Sequence, residues 1–213
     1  MATASGYGLV LHAASFAALS HINQRRKNIN KSPYINHPIE VADLIMRVGK
    51  EDSPVILAAA LLHDVVEDTQ VKIEEIDEMF GKEVGSLVRK VTDDKRLTKV
   101  ERKKAQVRNT LKKSHGVALI KMADKLNNLQ SLTNSPPVSW SRVYIQGYFV
   151  WAREVVKPLL HHNRELADML SKVFGQRFTH DGKQYPCILL VKMNTFWGFW
   201  KSIIQNWSKD LKQ

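Results

Sequence analysis

An imidazole and a carboxylate stand side by side in a stretch that otherwise reads as a buried helix. The stretch runs from Ser53 to Asp68 and is almost wholly apolar until it reaches His63 and Asp64. Both groups are costly to remove from water, and a bound divalent cation compensates both at once. Glu67 and Asp68 each follow a member of the pair by four residues, so one helical face is predicted to carry all four side chains. The pattern predicts half of a metal-dependent hydrolytic site.

The His-Asp dipeptide alone carries little information, because short motifs also arise by chance. A second copy, His180-Asp181, is followed by Gly182 in a polar, turn-like stretch, and we interpret it as accidental. The first copy differs because it ends a long apolar segment and has acidic partners at helical spacing.

The apolar periodicity along the rest of the chain is helical, which predicts an all-α fold. Ser53 followed by Pro54 is a typical helix start, and Gly49 and Gly81 are typical helix ends. No β-hairpin signature or internal repeat stands out. Besides the helix that begins at Ser53, the predicted helices cover residues 9–21, 38–48, 73–80, 82–91, 101–111, 117–132, 140–160 and 166–174.

The pattern divides the chain into one domain, residues 8–174, and a divergent tail, residues 175–213. The tail carries turn residues and then an apolar, tryptophan-rich run that Lys192, Asn194 and Lys201 interrupt, so no membrane-spanning helix is expected. We expect the tail to pack on the domain or to be poorly ordered. A helix lying on a membrane surface is the alternative.

The composition, with 44% apolar and 25% charged residues, is ordinary for a soluble globular protein. The single cysteine, Cys187, rules out an intrachain disulfide and suits a reducing compartment, and the N-terminus lacks a secretory signal, so we expect a cytoplasmic protein. The formal net charge of +11 suits a polyanionic partner: nucleic acid, anionic lipid or a heavily phosphorylated small molecule. Solvated helix faces explain each basic cluster equally well.

Two further segments supply side chains for a metal site. His37 lies at the entrance of a predicted helix, and Asp124 lies within an apolar helical run. Two imidazoles and two carboxylates form a mixed nitrogen and oxygen shell that suits Mn²⁺, Fe²⁺ or Zn²⁺, and the ligand types do not choose among these metals. A single His or Asp in such a place is usually an ordinary hydrogen-bonded group. Four of them around an acidic pair weaken that interpretation.

These residues resemble the ligand pattern of the HD-domain metal-dependent phosphohydrolases. The segments 26–27, 34–38, 63–69, 91–95 and 124–129 are similar to the RelA/SpoT-type hydrolase domain, especially its small stand-alone animal branch, the guanosine-3′,5′-bis(diphosphate) 3′-pyrophosphohydrolases. The resemblance runs from about residue 8 to Phe174 and implies an HD-domain helical bundle. It departs at Gln130, where the family usually has an arginine, and in the segment that follows Phe174.

The resemblance implies a role for each matching residue. It implies that one metal ion, usually Mn²⁺, is bound by His37, His63, Asp64 and Asp124. It implies that the attacking water is oriented and deprotonated by Glu67 and Asp68. It implies substrate contacts from Arg26, Lys27, Lys99, Asn128 and Tyr148.

The activity that the resemblance implies is removal of the 3′-pyrophosphate from guanosine 3′,5′-bis(diphosphate), ppGpp, to give GDP and pyrophosphate. The expected partner is therefore a phosphorylated guanine nucleotide and not a nucleic acid. Two alternatives stay open. One is a phosphatase acting on another nucleotide such as NADPH, because the same metal and water attack any accessible phosphoryl group. The other is a non-catalytic helical protein that binds polyanions through its positive charge.

Overall fold

The computed structural model describes residues 6–110 and 113–188 of the chain. These residues form ten α-helices, one π-helical turn, one 3₁₀ turn and one antiparallel hairpin. The helices are α1 Gly6–Ser20, α2 Asn36–Asp43, α3 Pro54–Leu62, α4 Val65–Asp68, α5 Ile73–Phe80, α6 Lys82–Val91, α7 Lys99–Arg108, α8 His115–Asn134, α9 Arg142–Val156 and α10 Arg164–Phe174. The π turn, Leu44–Val48, continues α2, and the 3₁₀ turn, Lys157–His162, follows α9.

Local chemistry sets several of the helix boundaries. Pro54 occupies the first turn of α3, where its missing N–H has no intrahelical acceptor to lose. Gly81 separates α5 from α6 with a φ of 87°, a backbone conformation that glycine adopts without strain. Thr98 and Glu101 form a capping box at the start of α7, each side chain bonding to the backbone N–H of the other residue.

The centre of the fold is α8, which packs against α2, α3, α6 and α9. Its residues 116–123 are all buried, and so are Leu126 and Leu129. Helix α1 packs against α3, and its Ala13 and Ala17 are both fully buried. The all-α prediction is confirmed for the bundle. The predicted helices 73–80 and 82–91 are present with the predicted ends, and the others are present with shifted ends, except that the helix predicted from Ser53 is divided in two.

The expectation that the chain has no β-hairpin was wrong. Strands β1 Arg177–His180 and β2 Lys183–Pro186 pair antiparallel, with Asp181 and Gly182 as the two loop residues. Both loop residues have positive φ, 49° and 70°, as a type I′ turn requires. Asp-Gly between two short strands is a strong hairpin signal. The second His-Asp pair therefore belongs to this turn, where His180 lies 3.1 Å from Asp181.

The first part of the predicted tail packs on the helices. Phe178 of β1 is buried and stacks on Phe149 of α9, with ring centroids 6.4 Å apart. Cys187 is fully buried, and the carbonyl of Pro186 accepts a hydrogen bond from Gln146. The packed core thus continues past residue 175. The tryptophan-rich run, with its alternative of a membrane-surface helix, lies in residues 189–213, outside the described part.

No helix within residues 6–110 and 113–188 combines the length and the apolar character that a membrane crossing needs.

Candidate active site

The helix predicted from Ser53 to Asp68 is broken at the His63-Asp64 pair, so the prediction of one continuous helical face was wrong. Helix α3 ends at Leu62 and α4 begins at Val65, with the pair in the turn between them. The backbone of Asp64 has a φ of −99° and a ψ of −8°, outside regular helical geometry. His63, Asp64, Glu67 and Asp68 nevertheless line one cavity. The turn brings together the side chains that the sequence had assigned to one face.

His37 is held in one orientation by a buried chain of hydrogen bonds. Its Nδ1 lies 2.6 Å from Oδ1 of Asn127, and Nδ2 of Asn127 donates to Glu40 over 2.7 Å. Because the amide nitrogen of Asn127 already donates to Glu40, its oxygen must accept from the imidazole, which places the proton on Nδ1. The lone pair of Nε2 therefore points at Oδ1 of Asp124, 3.3 Å away. Such a support is typical of a metal-binding histidine.

His63 is also held in one orientation by a hydrogen bond at Nδ1. Its Nδ1 lies 2.7 Å from the carbonyl oxygen of Ala60, which can only accept, so this nitrogen carries the proton. Its Nε2 is buried 3.1 Å from Oδ2 of Asp64, outside hydrogen-bonding geometry, and has no hydrogen-bond partner within the described residues. An unsatisfied buried nitrogen facing a carboxylate oxygen is unfavourable unless a proton or a metal ion lies between them.

The donor atoms fit a divalent metal ion. His37, His63 and Asp124 each offer one ligand atom, and these atoms all lie within 4.8 Å of one another. Ligand bonds of about 2.0–2.2 Å allow two donors on one ion to be up to roughly 4.4 Å apart, so small side-chain movements close the shell. Asp64 lies beside this group, with Oδ2 3.6 Å from Nε2 of His37, and it accepts a hydrogen bond of 2.6 Å from the hydroxyl of Tyr34.

The electrostatics of the cluster favour an added positive charge. Burial lowers the pKa of His63, but the neighbouring Asp64 and Asp124 outweigh it and raise the pKa to about 9. Burial raises the pKa of Asp124, but the ammonium of Lys125 and the two imidazoles outweigh it and hold the pKa well below its usual value. The two carboxylates therefore attract either a proton or a metal ion, and the two compete for the imidazole.

Glu67 and Asp68 have the environment of a base beside this cluster. Burial, together with the charges of Asp93 and Asp64, raises the pKa of Glu67 above its usual value. Oε2 of Glu67 accepts a hydrogen bond of 3.2 Å from the backbone N–H of Asp93, which orients the carboxylate. Burial and Asp64 also raise the pKa of Asp68, against the opposing effect of Lys95. A carboxylate with a raised pKa is a stronger proton acceptor.

We term the cavity lined by His63 and Asp64 the metal cavity; its volume is about 280 Å³. A second cavity of about 320 Å³, the outer cavity, adjoins it. Tyr34, Asp68 and Asn128 line both cavities. Lys99 lines the metal cavity, and the predicted substrate residues Arg26, Lys27 and Tyr148 line the outer cavity. Every site residue predicted from the sequence thus lines one or both of these cavities.

Asn128 links the two cavities. Its Nδ2 donates to Oδ1 of Asp124 over 2.6 Å, and its Oδ1 accepts from Arg26 over 3.1 Å. Burial, and then the charges of Lys27 and Arg102, lower the pKa of Lys99 to about 7. A buried lysine that is destabilised by other cations is stabilised by an anion. The described walls therefore combine donor atoms that suit a metal ion with cationic side chains that suit an anion.

The sequence reasoning missed three lysines in the metal cavity. The ammonium of Lys125 pairs with Asp124, and Nζ of Lys103 lies 3.3 Å above the ring centroid of Trp151. Lys121 is only 9% exposed. A signal was available for two of them, because Lys121 and Lys125 are spaced four apart in the apolar run of α8, where an ammonium needs a partner.

Comparison with known proteins agrees with the fold. The family model of the HD domain matches residues 13–153. The human guanosine-3′,5′-bis(diphosphate) 3′-pyrophosphohydrolase MESH1 is 48% identical over 168 residues, which are 79% of this chain and 94% of that protein. Its Drosophila melanogaster counterpart is 43% identical over 167 residues, 78% of this chain and 93% of that protein.

A solved structure is also similar. It matches with a TM-score of 0.76 and 42% identity, covers 78% of this chain and 93% of its own, and is described as a metazoan ortholog of SpoT that hydrolyzes ppGpp and plays a role in starvation responses. The chain belongs to the HD-domain family and, within it, to the family of these guanosine-3′,5′-bis(diphosphate) 3′-pyrophosphohydrolases.

Proposed function

We propose that the chain is a metal-dependent hydrolase that converts ppGpp to GDP and pyrophosphate. The observation that carries the proposal is the pair of buried imidazole nitrogens that face carboxylates inside a cavity with cationic walls. The relatives that share the family are named for this activity. A cytoplasmic location is part of the proposal, and the single, buried Cys187 supports it.

The metal is Mn²⁺ in this proposal, although the same donors suit Zn²⁺ or Fe²⁺. Its ligands are His37, His63, Asp64 and Asp124. When bound, the ion lowers the pKa of a water molecule and polarises a phosphoryl oxygen. Asn127 and the carbonyl of Ala60 keep both imidazoles in the tautomer that presents Nε2 to the ion, and Tyr34 fixes Asp64.

The acidic pair supplies proton transfer. Glu67, with its raised pKa, accepts the proton of the attacking water, and Asp68 orients that water from the exposed end of α4. The oxygen of the water bonds to the phosphorus that is attached to the ribose 3′ oxygen. The bond between that phosphorus and the 3′ oxygen breaks, and the 3′ oxygen leaves with a proton. Pyrophosphate and GDP are the two products.

The cations and the outer cavity bind the nucleotide. Arg26 and Lys27 lie at the wall where the guanine base and the 5′-diphosphate enter, and Tyr148 provides an aromatic surface there. Lys99 and Asn128 lie closer to the metal ligands, where negative charge grows on the phosphoryl oxygens during attack. This division assigns the nucleoside to the outer cavity and the reacting phosphate to the metal cavity.

The test is product analysis with purified protein, Mn²⁺ and ppGpp. We expect equal amounts of GDP and pyrophosphate, with no reaction once the metal is chelated. NADPH in a parallel reaction distinguishes a general nucleotide phosphatase, because ppGpp should be preferred when both compete for limiting enzyme. Protein that binds Mn²⁺ and leaves ppGpp intact would show that the assigned activity is wrong.

A further inference from the structure

A third cavity adjoins the metal cavity. Its volume is about 260 Å³, far more than the roughly 10–15 Å³ that one water molecule needs. It shares Arg102 and Lys121 with the metal cavity, and Lys90 and Lys113 line it further out. We term this space the basic compartment. Because Arg102 and Lys121 line both spaces, the basic compartment lies directly beside the metal cavity.

The cations of the basic compartment exceed its carboxylates. Four cationic side chains, Lys90, Arg102, Lys113 and Lys121, line it together with two acidic ones, Asp93 and Asp94. Asp94 is already paired with Arg96 at 2.8 Å, and Asp93 accepts a hydrogen bond from Gln106. Within residues 6–110 and 113–188, none of the four cations has a carboxylate within 4.0 Å. The lining of the compartment therefore carries an excess of positive charge.

Lys121 has the strongest need for a counter-ion. It is 9% exposed, and its ammonium makes one long contact of 3.5 Å with the carbonyl of Val91. Burial, and then the charge of Lys125, lower the pKa of Lys121 to about 8. A buried ammonium is stable only when it is paired. A bound anion with several charges would supply that pairing for Lys121, Arg102 and Lys113 together.

The order of residues along α8 shows which part of a nucleotide reaches this compartment. Lys121 precedes the metal ligand Asp124 by one turn, and Asn128 follows it by one turn, each turn rising about 5.4 Å. Asn128 lines the outer cavity and Lys121 lines the basic compartment, and these two spaces have no lining residue in common. The metal ligand thus lies between the nucleoside side and the lysine side.

We propose that the basic compartment binds the terminal phosphate of the 3′-diphosphate and then holds the released pyrophosphate. This inference rests on the proposed function, because it takes the reacting phosphate to lie at Asp124. With the nucleoside in the outer cavity, the terminal phosphate extends past the metal ligands toward Lys121 and Arg102. A nucleotide with a single phosphate at the reacting position places nothing there. The compartment therefore selects diphosphates over monophosphates.

The test compares two probes on the Mn²⁺-loaded protein by calorimetry: inorganic pyrophosphate, and guanosine 5′-diphosphate 3′-monophosphate, which lacks the terminal phosphate. Lys113→Met removes a cation that lines only the basic compartment, and Lys121→Met removes the buried one. We expect the pyrophosphate affinity to fall about threefold for Lys113→Met and about tenfold or more for Lys121→Met, as for charge-assisted hydrogen bonds. The affinity for the monophosphate probe should stay within about twofold in Lys113→Met, because Lys113 does not line the metal cavity.

The control is Lys172→Met, which removes the same charge at an exposed position of α10. It should leave the affinities for pyrophosphate and for the monophosphate probe unaltered. Circular dichroism shows whether Lys121→Met folds, and the partly exposed Lys113 keeps the test valid if it does not. Unchanged pyrophosphate affinity in Lys113→Met, or an equal loss for both probes, overturns the inference. If the wild type fails to hydrolyse ppGpp while the pyrophosphate effects appear, the proposed function is wrong and the compartment still stands.

Discussion

Replacing Asn127 with alanine should loosen the proposed metal site without removing any of its proposed ligands. Asn127 is 6% exposed and accepts from Nδ1 of His37, which is itself 2% exposed. Alanine leaves that N–H without an acceptor and removes the amide donor from Glu40. A buried donor without a partner costs about 1–3 kcal/mol. Part of this cost will lower the free energy of unfolding, and part will let the imidazole rotate away from the metal.

The expected effect on metal affinity follows from the same geometry. Loss of a residue that orients a ligand typically weakens metal binding about 10- to 100-fold, which corresponds to roughly 1.4–2.7 kcal/mol. The assay is competition for Mn²⁺ against a chelator of known affinity, followed by ppGpp turnover at increasing Mn²⁺. Turnover of Asn127→Ala should recover most of its wild-type value once the metal is saturating, because every ligand is still present.

The matched control is Asn134→Ala, which makes the same change at an exposed position of the same helix. Its Mn²⁺ affinity should equal that of the wild type. If Asn127→Ala binds Mn²⁺ as tightly as Asn134→Ala does, the hydrogen bond to His37 does not organise the site, and the reasoning from tautomer to metal ligand is refuted.

Four further results are expected. Asp64→Ala should abolish turnover at any Mn²⁺ concentration while circular dichroism stays helical; full activity would exclude Asp64 as a ligand. Glu67→Ala should keep its metal but lose the chemistry, and metal loss equal to that of Asp64→Ala would make it a ligand instead. The free enzyme should lose a substrate-binding cation as the pH rises through the Lys99 pKa of about 7, so kcat/KM falls on the alkaline side, and Lys99→Met should lack this limb. Phe178→Ala should lower the free energy of unfolding in urea by about 3–5 kcal/mol, since the ring is 1% exposed, whereas the exposed Tyr7→Ala should change little.

Local features of the fold could be predicted because neighbouring residues determine them. Gly81 ends α5, and Pro54 starts α3, as expected. The break between α3 and α4 was missed, because hydrophobic periodicity does not register a turn of two residues when helical spacing continues on both sides. Tertiary contacts at this break, such as the hydrogen bond from Tyr34 to Asp64, stabilise a geometry that the local sequence does not reveal.

The hairpin was missed for a different reason. The Asp181-Gly182 turn was visible in the sequence, but its strands are only four residues long and mostly polar, so they give little alternation. Tertiary contacts stabilise the hairpin: Phe178 is buried against α9, and the carbonyl of Pro186 accepts a hydrogen bond from Gln146. The proposed metal ligands His63, Asp64 and Asp124 could be selected from the sequence because imidazoles and carboxylates in apolar runs are unusual. Lys103 of α7 was missed because a charged helix usually faces solvent.

Elemental analysis of the purified protein tests the central claim most directly, when it is combined with hydrolysis of ppGpp before and after dialysis against a chelator. We expect one divalent metal ion per chain, loss of hydrolysis when that ion is removed, and recovery when Mn²⁺ is returned. A chain that hydrolyses ppGpp at full rate with no stoichiometric metal would contradict the account, because His37, His63 and Asp124 would then have been brought together without the ion that explains them.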